Sequence, residues 1–487
     1  MSTHFVPGAP LADGTGWKLW YSHPGEGDFN PAPIQISRGG VPDSFQQDWQ
    51  LLDVLPGLKR RIGVLTVRLD QPAPGSFYEI TIPEAAQSVP FRWRSLPNQL
   101  PEEGVAFLLG SCFWRDNDEN GSYSAAVRDL TKRWQPAFKL LAGDQVYQDW
   151  PAAAFVNKTP FQLYADRYAE YWGDPGYQEV LRACPNMFMC DDHEYWNDFP
   201  ERQVHLSRTW TAQKRQTFTE VAVKLYQQYQ VALNPGTKYW YSFQIGPVSF
   251  FAVDTRTERD RIATDPPAPV PHFLKPAQWQ DLTAWVEGLR GPGVLIIGQP
   301  VYQKDGDWKD HSLSNFPDDY GRLCQLIAKS HRGENAEGKP HQILMLSGDI
   351  HTGRYSIGTI AGIGGEVGEV HEFVASAASR VGPYPHTARV SEPPTKFQAV
   401  YQGAITSFQV DMRTGSIPPG GPRTYPTTDN NIGMVQMFPG TNGRVRFQLS
   451  IWRVRPHDNR NWWDRLKGDK QPQGPVIKLF EREIQLQ

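Results

Sequence analysis

The sequence predicts a mixed α/β protein with a small β region in front. Two observations carry this. Residues up to about 100 hold short β-branched and aromatic runs separated by Pro and Gly, namely "WKLWYS", "IGVLTVRLD", "SFYEITI" and "FRWRSLP". Beyond them, apolar runs alternate with segments of helical spacing, the pattern of an α/β domain. A chain of 487 residues also exceeds one compact core. The expected division is a sandwich-like β domain over 1–100, a linker at "LPNQLPEEG", and a second domain over 101–487 that closes with a β extension.

The elements follow in order. "VAFLLGS" reads as a strand, "SYSAAVRDLTKRW" as a helix and "FKLLAGD" as a strand. "FQLYADRYAEYW" and "YQEVLRAC" read as helices, and "MFMC" as a strand. A long helix is expected from Ser207 to Gln230, then the β runs "KYWYSFQI" and "VSFFAVD". "PAQWQDLTAWVEGL" carries Pro in the first turn, where helices tolerate it. "VLIIGQP", "DYGRLCQLIAK" and "QILMLSGDIH" continue as strand, helix, strand. The runs "HEFVASA", "IGMVQMF" and "VRFQLSIWRV" return the chain to β structure, and no internal repeat is visible.

Composition narrows the function classes. Hydrophobic residues at 39% and charged residues at 21% describe an ordinary globular chain. A formal net charge of −3 gives no reason to expect nucleic acid or an anionic membrane as a bulk partner. No run approaches the ~18 apolar residues of a membrane span. "MSTHFVPGAPLADG" lacks the basic and apolar regions of a secretory signal, so the expected compartment is the cytoplasm. Four cysteines do not make a disulfide framework, and buried thiols are expected.

The chemistry sits at the strand ends. "VAFLLG" ends at Ser111-Cys112, and "FKLLAG" at Asp144 with Tyr147 close behind. "NMFMC" ends at Asp191-Asp192-His193-Glu194, with Asn197 and Asp198 following. "VSFFAV" ends at Asp254-Thr255-Arg256, "VLIIG" at Gln299, and "ILMLSG" at Asp349 with His351 two residues on. Ligands of open α/β sheets bind outside the carboxyl ends of the strands. Each residue alone has a structural explanation: a packing thiol, a turn cap, an acidic first helical turn, an ion-pair partner. Together they converge, and the acids of 191–198 are expected to face other acids. Only a cation stabilises that arrangement, because crowded carboxylates raise one another's pKa.

The motifs "GSC", "GDQVY", "DDHEYWND", "VDTRTER" and "SGDIH" resemble, in order and spacing, those of the alkaline phosphatase D (PhoD-like) family of calcineurin-like metallophosphoesterases. The resemblance spans about residues 100–380. It implies a β-sandwich flanked by helices, behind an N-terminal β domain. It also implies ligand roles for Cys112, Asp144 and Tyr147 at iron, with Asp144 bridging to a second metal held by Asn197. Asp349 and His351 complete the set, and Asp192 stands where the superfamily places a ligating Asn. His193 matches the histidine that contacts the scissile phosphate, and Arg256 an arginine near it. The implied cofactors are ferric iron and Ca2+, with Mn2+, Zn2+ or Mg2+ as alternatives. Thiolate and phenolate suit ferric iron, and carboxylates suit hard cations.

The implied activity is hydrolysis of phosphate esters, mono- or diester, by a metal-activated hydroxide. The competing reading is a binding protein that keeps the fold and a structural metal without turnover. His193 and Arg256 favour the enzyme, since a structural site needs no groups aimed at a leaving oxygen. A serine hydrolase finds no Gly-x-Ser-x-Gly elbow at a strand end. Much of the superfamily has a metal-binding His where this chain has Gln299; PhoD-like sequences often carry an amide there. Tyr195 and Trp196 depart from the small or acidic residues expected after "DDHE".

Overall fold

The computed structural model describes residues 3–25, 27, 29, 31, 33–83, 91–118, 121–149, 158–262, 270–303, 311–362, 365–379, 397–401, 404–414, 427–454 and 474–487. Two sheets face each other. One has six strands in the order Asn186–Met189, Lys139–Ala142, Val105–Gly110, Asn431–Pro439, Val445–Val454, Val476–Leu486. The other has eight, in the order Tyr241–Ile245, Val248–Val253, Gly293–Ile297, Ile343–Ser347, Gly365–Val374, Arg354–Gly362, Ala404–Thr414, Phe397–Tyr401. The first three strands of the six run parallel. So do Val248–Val253, Gly293–Ile297, Ile343–Ser347 and Gly365–Val374 in the eight.

The strand sequences explain the layering. Phe107 and Leu109 point between the sheets, where Phe107 meets Phe250 of the opposite sheet at a ring-centroid distance of 5.8 Å. Leu108 points the other way, into the cluster built by helices Ser122–Trp134, Pro160–Gly173, Pro175–Ala183 and Ala212–Tyr229. In the eight-stranded sheet, Phe250, Val294, Ile296, Leu344 and Leu346 face inward. Phe251, Leu295, Ile297, Ile343 and Met345 face helices Pro276–Glu287 and Pro317–Arg332. With both faces buried, these strands need near-continuous apolar runs. This is why the central strands stood out in the sequence.

The N-terminal strands form two four-stranded sheets around their own apolar cluster of Phe5, Trp17, Leu19, Leu65, Tyr78 and Trp93. Their outer face, through Val6, Trp20, Ile62 and Val64, packs on the helical cluster. Two expectations are corrected. The helix expected from Ser207 starts at Ala212, because Thr211 accepts the Lys214 amide as its N-cap; a separate 3-10 turn holds Ser207–Thr209. The strand in "KYWYSFQI" begins only at Tyr241. Strand Phe45–Leu55 escaped the sequence reading, since it is a mostly exposed edge strand without apolar alternation. Among the described residues, no helix is long and apolar enough to cross a membrane.

Candidate metal centre

The parallel strands of both sheets end at one place. Cys112, Asp144 and His351 bring ligand atoms within 4.8 Å of one another, as do Asp144, Asp192 and His193, and Asp144, Asp191, Asp192 and Asp349. Asp144 belongs to all three groups. Cys112 Sγ lies 3.2 Å from Asp144 Oδ2 and 3.3 Å from the Asp349 carbonyl, 237 residues away in sequence. Ligands therefore come from both sheets.

The chain makes sharp turns to do this. Among the described residues, nine non-glycine residues have positive φ, and five of them are Cys112, Asp144, Asp198, Asp349 and His351. Such backbone costs about 1–3 kcal/mol per residue and clusters at functional sites. Close approach also demands glycine before two of the ligands. A Cβ on Gly143, whose φ is +88°, would collide with Asp191, and one on Gly348 would overlap the Ser111 side chain.

The acids of "DDHE" play different parts. Asp192 joins Asp144 in the ligand groups, and its carboxylate accepts the Asp198 amide. Glu194 lies close enough to Asp144 to raise its pKa, but its own oxygens bind backbone amides. It accepts the backbone amides of Asp144 (2.9 Å), Gln145 (2.6 Å) and Asp191 (2.9 Å), and so ties two strand-end loops together. Burial raises its pKa to about 7, against the pull of those amides. Asp191 also meets a cation of the chain itself: Arg256 Nε donates to its Oδ1, both side chains fully buried. Its Oδ2 is buried without a hydrogen-bond partner among the described residues. Arg256 Nη1 further donates to the Phe199 carbonyl, 3.3 Å away. Arg256 thus supplies a counter-charge to Asp191.

His193 stands on the other flank. Its Nδ1 is 2.8 Å from Asp149 Oδ1, its amide donates to Asp144 Oδ1 at 3.2 Å, and its ring lies 4.1 Å from that of Tyr147. Burial works to lower the His193 pKa, but Asp149, Asp192 and Asp144 together hold it well above the ordinary value. Burial opposes ionisation of Asp149 too, yet the facing His193 and the Asn197 amide bring its pKa down to about 2. The other oxygen of Asp149 accepts that Asn197 amide at 3.0 Å, which sets Asn197 beside the cluster. Asp149 is a site residue that the sequence reading did not name, and Asp191 is one that it placed in the cluster without a ligand role. The first falls two residues past Tyr147, and the second is the first acid of "DDHE".

The residues present fit metal. Tyr147 Oη is fully buried and has no hydrogen-bond partner among the described residues. Burial, then Cys112 and Asp144, push its pKa far up. Burial, then Asp144 and Asp349, do the same to Cys112. Burial drives Asp144 up as well; His193 offsets this, while Asp192, Asp191 and Glu194 add to it. A buried phenol without a partner, beside a thiol and several carboxyls all resisting ionisation, is what a cation relieves. Gln299 is not among these donors, for its amide oxygen accepts from Arg259 Nη2 at 2.6 Å. Cys184, Cys190 and Cys324 are buried free thiols, as expected.

A two-sheet α/β sandwich that gathers thiol, phenol, imidazole and carboxyl groups at its strand ends defines a metal-binding hydrolytic scaffold. Residues 107–415 match the PhoD-like phosphatase family, and the chain belongs to that family of metal-dependent phosphatases. It is similar in fold to a solved structure of PhoD, at 16% identity and a TM-score of 0.61, over 93% of this chain and 86% of that one. No curated protein matches the sequence.

Proposed function

We propose that this metal-dependent phosphoesterase hydrolyses phosphodiesters, phosphomonoesters or both at a multinuclear centre. The observation that carries the reading is the convergence of three ligand groups on Asp144 with a paired imidazole, His193, beside them. Cys112, Tyr147, Asp144 and His351 would hold ferric iron, since thiolate and phenolate are strong anionic donors. Asp144, Asp191, Asp192, Asn197 and Asp349 would hold Ca2+ or another hard cation, with Asp144 shared. When bound, such metals supply positive charge for phosphoryl oxygens and an activated water at neutral pH.

The chain's own residues do the rest. Asp149 keeps the His193 Nδ1 proton in place and favours the imidazolium, so Nε2–H is the atom that faces chemistry. An imidazolium there stabilises charge on an equatorial oxygen or protonates the leaving group. Arg256 neutralises Asp191 from behind instead of touching substrate. Glu194 keeps the loops carrying Asp144 and Asp191 in register.

The test is hydrolysis of bis-p-nitrophenyl phosphate and p-nitrophenyl phosphate by protein of known metal content. Chelation is expected to abolish turnover, and ferric iron with Ca2+ to restore part of it. His193→Ala is expected to lower kcat about 10²–10⁴-fold with metal content kept. Full turnover by metal-free protein, or wild-type kcat in His193→Ala, would refute the mechanism.

A further inference from the structure

We propose that Arg259 is a positioning residue of the metal centre, acting on Asp349 through Gln299. The two ends of an amide are alike in shape and differ in chemistry, one accepting and the other donating. At one end of Gln299, Oε1 lies 2.6 Å from Arg259 Nη2. A guanidinium has no acceptor, so the end facing it must be the oxygen. At the other end, Nε2 lies 3.2 Å from Asp349 Oδ2 and 3.4 Å from the His311 carbonyl. Both are acceptors. Turning the amide over would set donors against donors and oxygens against oxygens at once. Gln299 is fully buried, so water cannot relieve that conflict.

Arg259 is itself fixed. Its Nε donates to the Thr255 carbonyl at 2.7 Å and its Nη1 to the His311 carbonyl at 3.2 Å, and the guanidinium lies 5.0 Å from the Phe316 ring centroid. A rigid donor therefore dictates which face Gln299 shows to Asp349. It follows that Gln299 does not ligate a metal through its oxygen. It hydrogen-bonds one oxygen of Asp349 and so turns that carboxylate toward Asp144, Asp191 and Asp192.

This rests on the metal-centre reading, and binding measured without turnover separates the two. Metal-free wild type, Arg259→Met, Gln299→Met and the double variant are titrated with Mn2+, with the free ion followed by electron paramagnetic resonance. Each single change is expected to weaken Mn2+ binding about 10–100-fold. The double is expected to be no weaker than the worse single, because the hydrogen-bonded path from Arg259 to Asp349 runs through Gln299. Arg259→Lys keeps a donor for Oε1 but loses the fork to Thr255 and His311. It is expected to bind Mn2+ nearly as well as wild type while its Tm falls. Effects that multiply in the double variant, or affinity that falls with Tm in Arg259→Lys, would overturn the proposal. A wild type that binds neither Mn2+, Ca2+ nor iron would instead sink the metal-centre reading, and this inference with it.

Discussion

Two ion pairs among the described residues are completely buried, and they differ in one oxygen. Arg354 Nη2 lies 3.0 Å from Glu372 Oε2 inside the eight-stranded sheet. Glu372 Oε1 accepts the amides of Val301 (2.6 Å) and Tyr302 (3.1 Å). Both oxygens are thus occupied, and the pair acts as a staple between the sheet and the 301–302 loop. Arg256 and Asp191 are equally buried, but Asp191 Oδ2 has no hydrogen-bond partner among the described residues, and Asp191 lies in a group with Asp144, Asp192 and Asp349. Desolvation raises the carboxyl pKa in both, and the arginine pulls it back. A saturated pair is complete without help. A pair with one buried oxygen to spare leaves room for a second positive partner, the place a metal would take.

The largest test removes the residue shared by all groups. Asp144→Asn is expected to cut turnover by at least about 10³-fold and to lower the content of both metals, because one neutral amide weakens two sites. If ferric iron is present, the visible charge-transfer band should fade in Asp144→Asn, Cys112→Ser and Tyr147→Phe alike. Metal content and turnover preserved in Asp144→Asn would remove the bridging role.

Next come the arginines. Arg354→Met strands Glu372 and is expected to cost about 3–5 kcal/mol in denaturant unfolding, with or without metal. Arg256→Met is expected to cost a similar amount in metal-free protein and about 1–2 kcal/mol less once metal is bound, since the cation shares the charge of Asp191. Equal costs in both states would erase the difference drawn above.

The smallest effect is expected at Asp149→Asn, about tenfold to a hundredfold in kcat with metal retained. The sign with pH follows from the two shifts. Asp149 is lowered from 3.8 to about 2, so its contribution to stability is present above 3.8 and lost as pH falls toward 2. His193 is raised above 6.5, so its contribution is full below 6.5 and lost as pH rises through the raised value. Unfolding of metal-free wild type should show both limbs, and Asp149→Asn should flatten them.

Much of this was legible in the chain. Buried parallel strands write themselves as apolar runs, and a polar residue right after each run marks the sheet's carboxyl end. What pattern could not supply is the division of labour among like residues. Asp191, Asp192 and Glu194 are adjacent carboxyls, yet one meets an arginine, one joins the ligands and one binds amides. Nothing in "DDHE" distinguishes them, because the partners that do so are distant in sequence: Asp144 lies 50 residues from Glu194, and Arg256 lies 65 from Asp191. Arg256 shows the same limit: its place is set by Asp191, 65 residues off.

The candidate ligands also have a mechanical meaning. Cys112, Asp144 and Asp192 follow strands of one sheet, and Asp349 and His351 follow a strand of the other. Between the sheets lie apolar side chains, whose contacts resist separation but offer little directional resistance to sliding. A cation held from both sides would be a rivet at one end of that sliding interface. Shear between the sheets would load the rivet first, and the opposite end of the sandwich would swing about it as a hinged plate does.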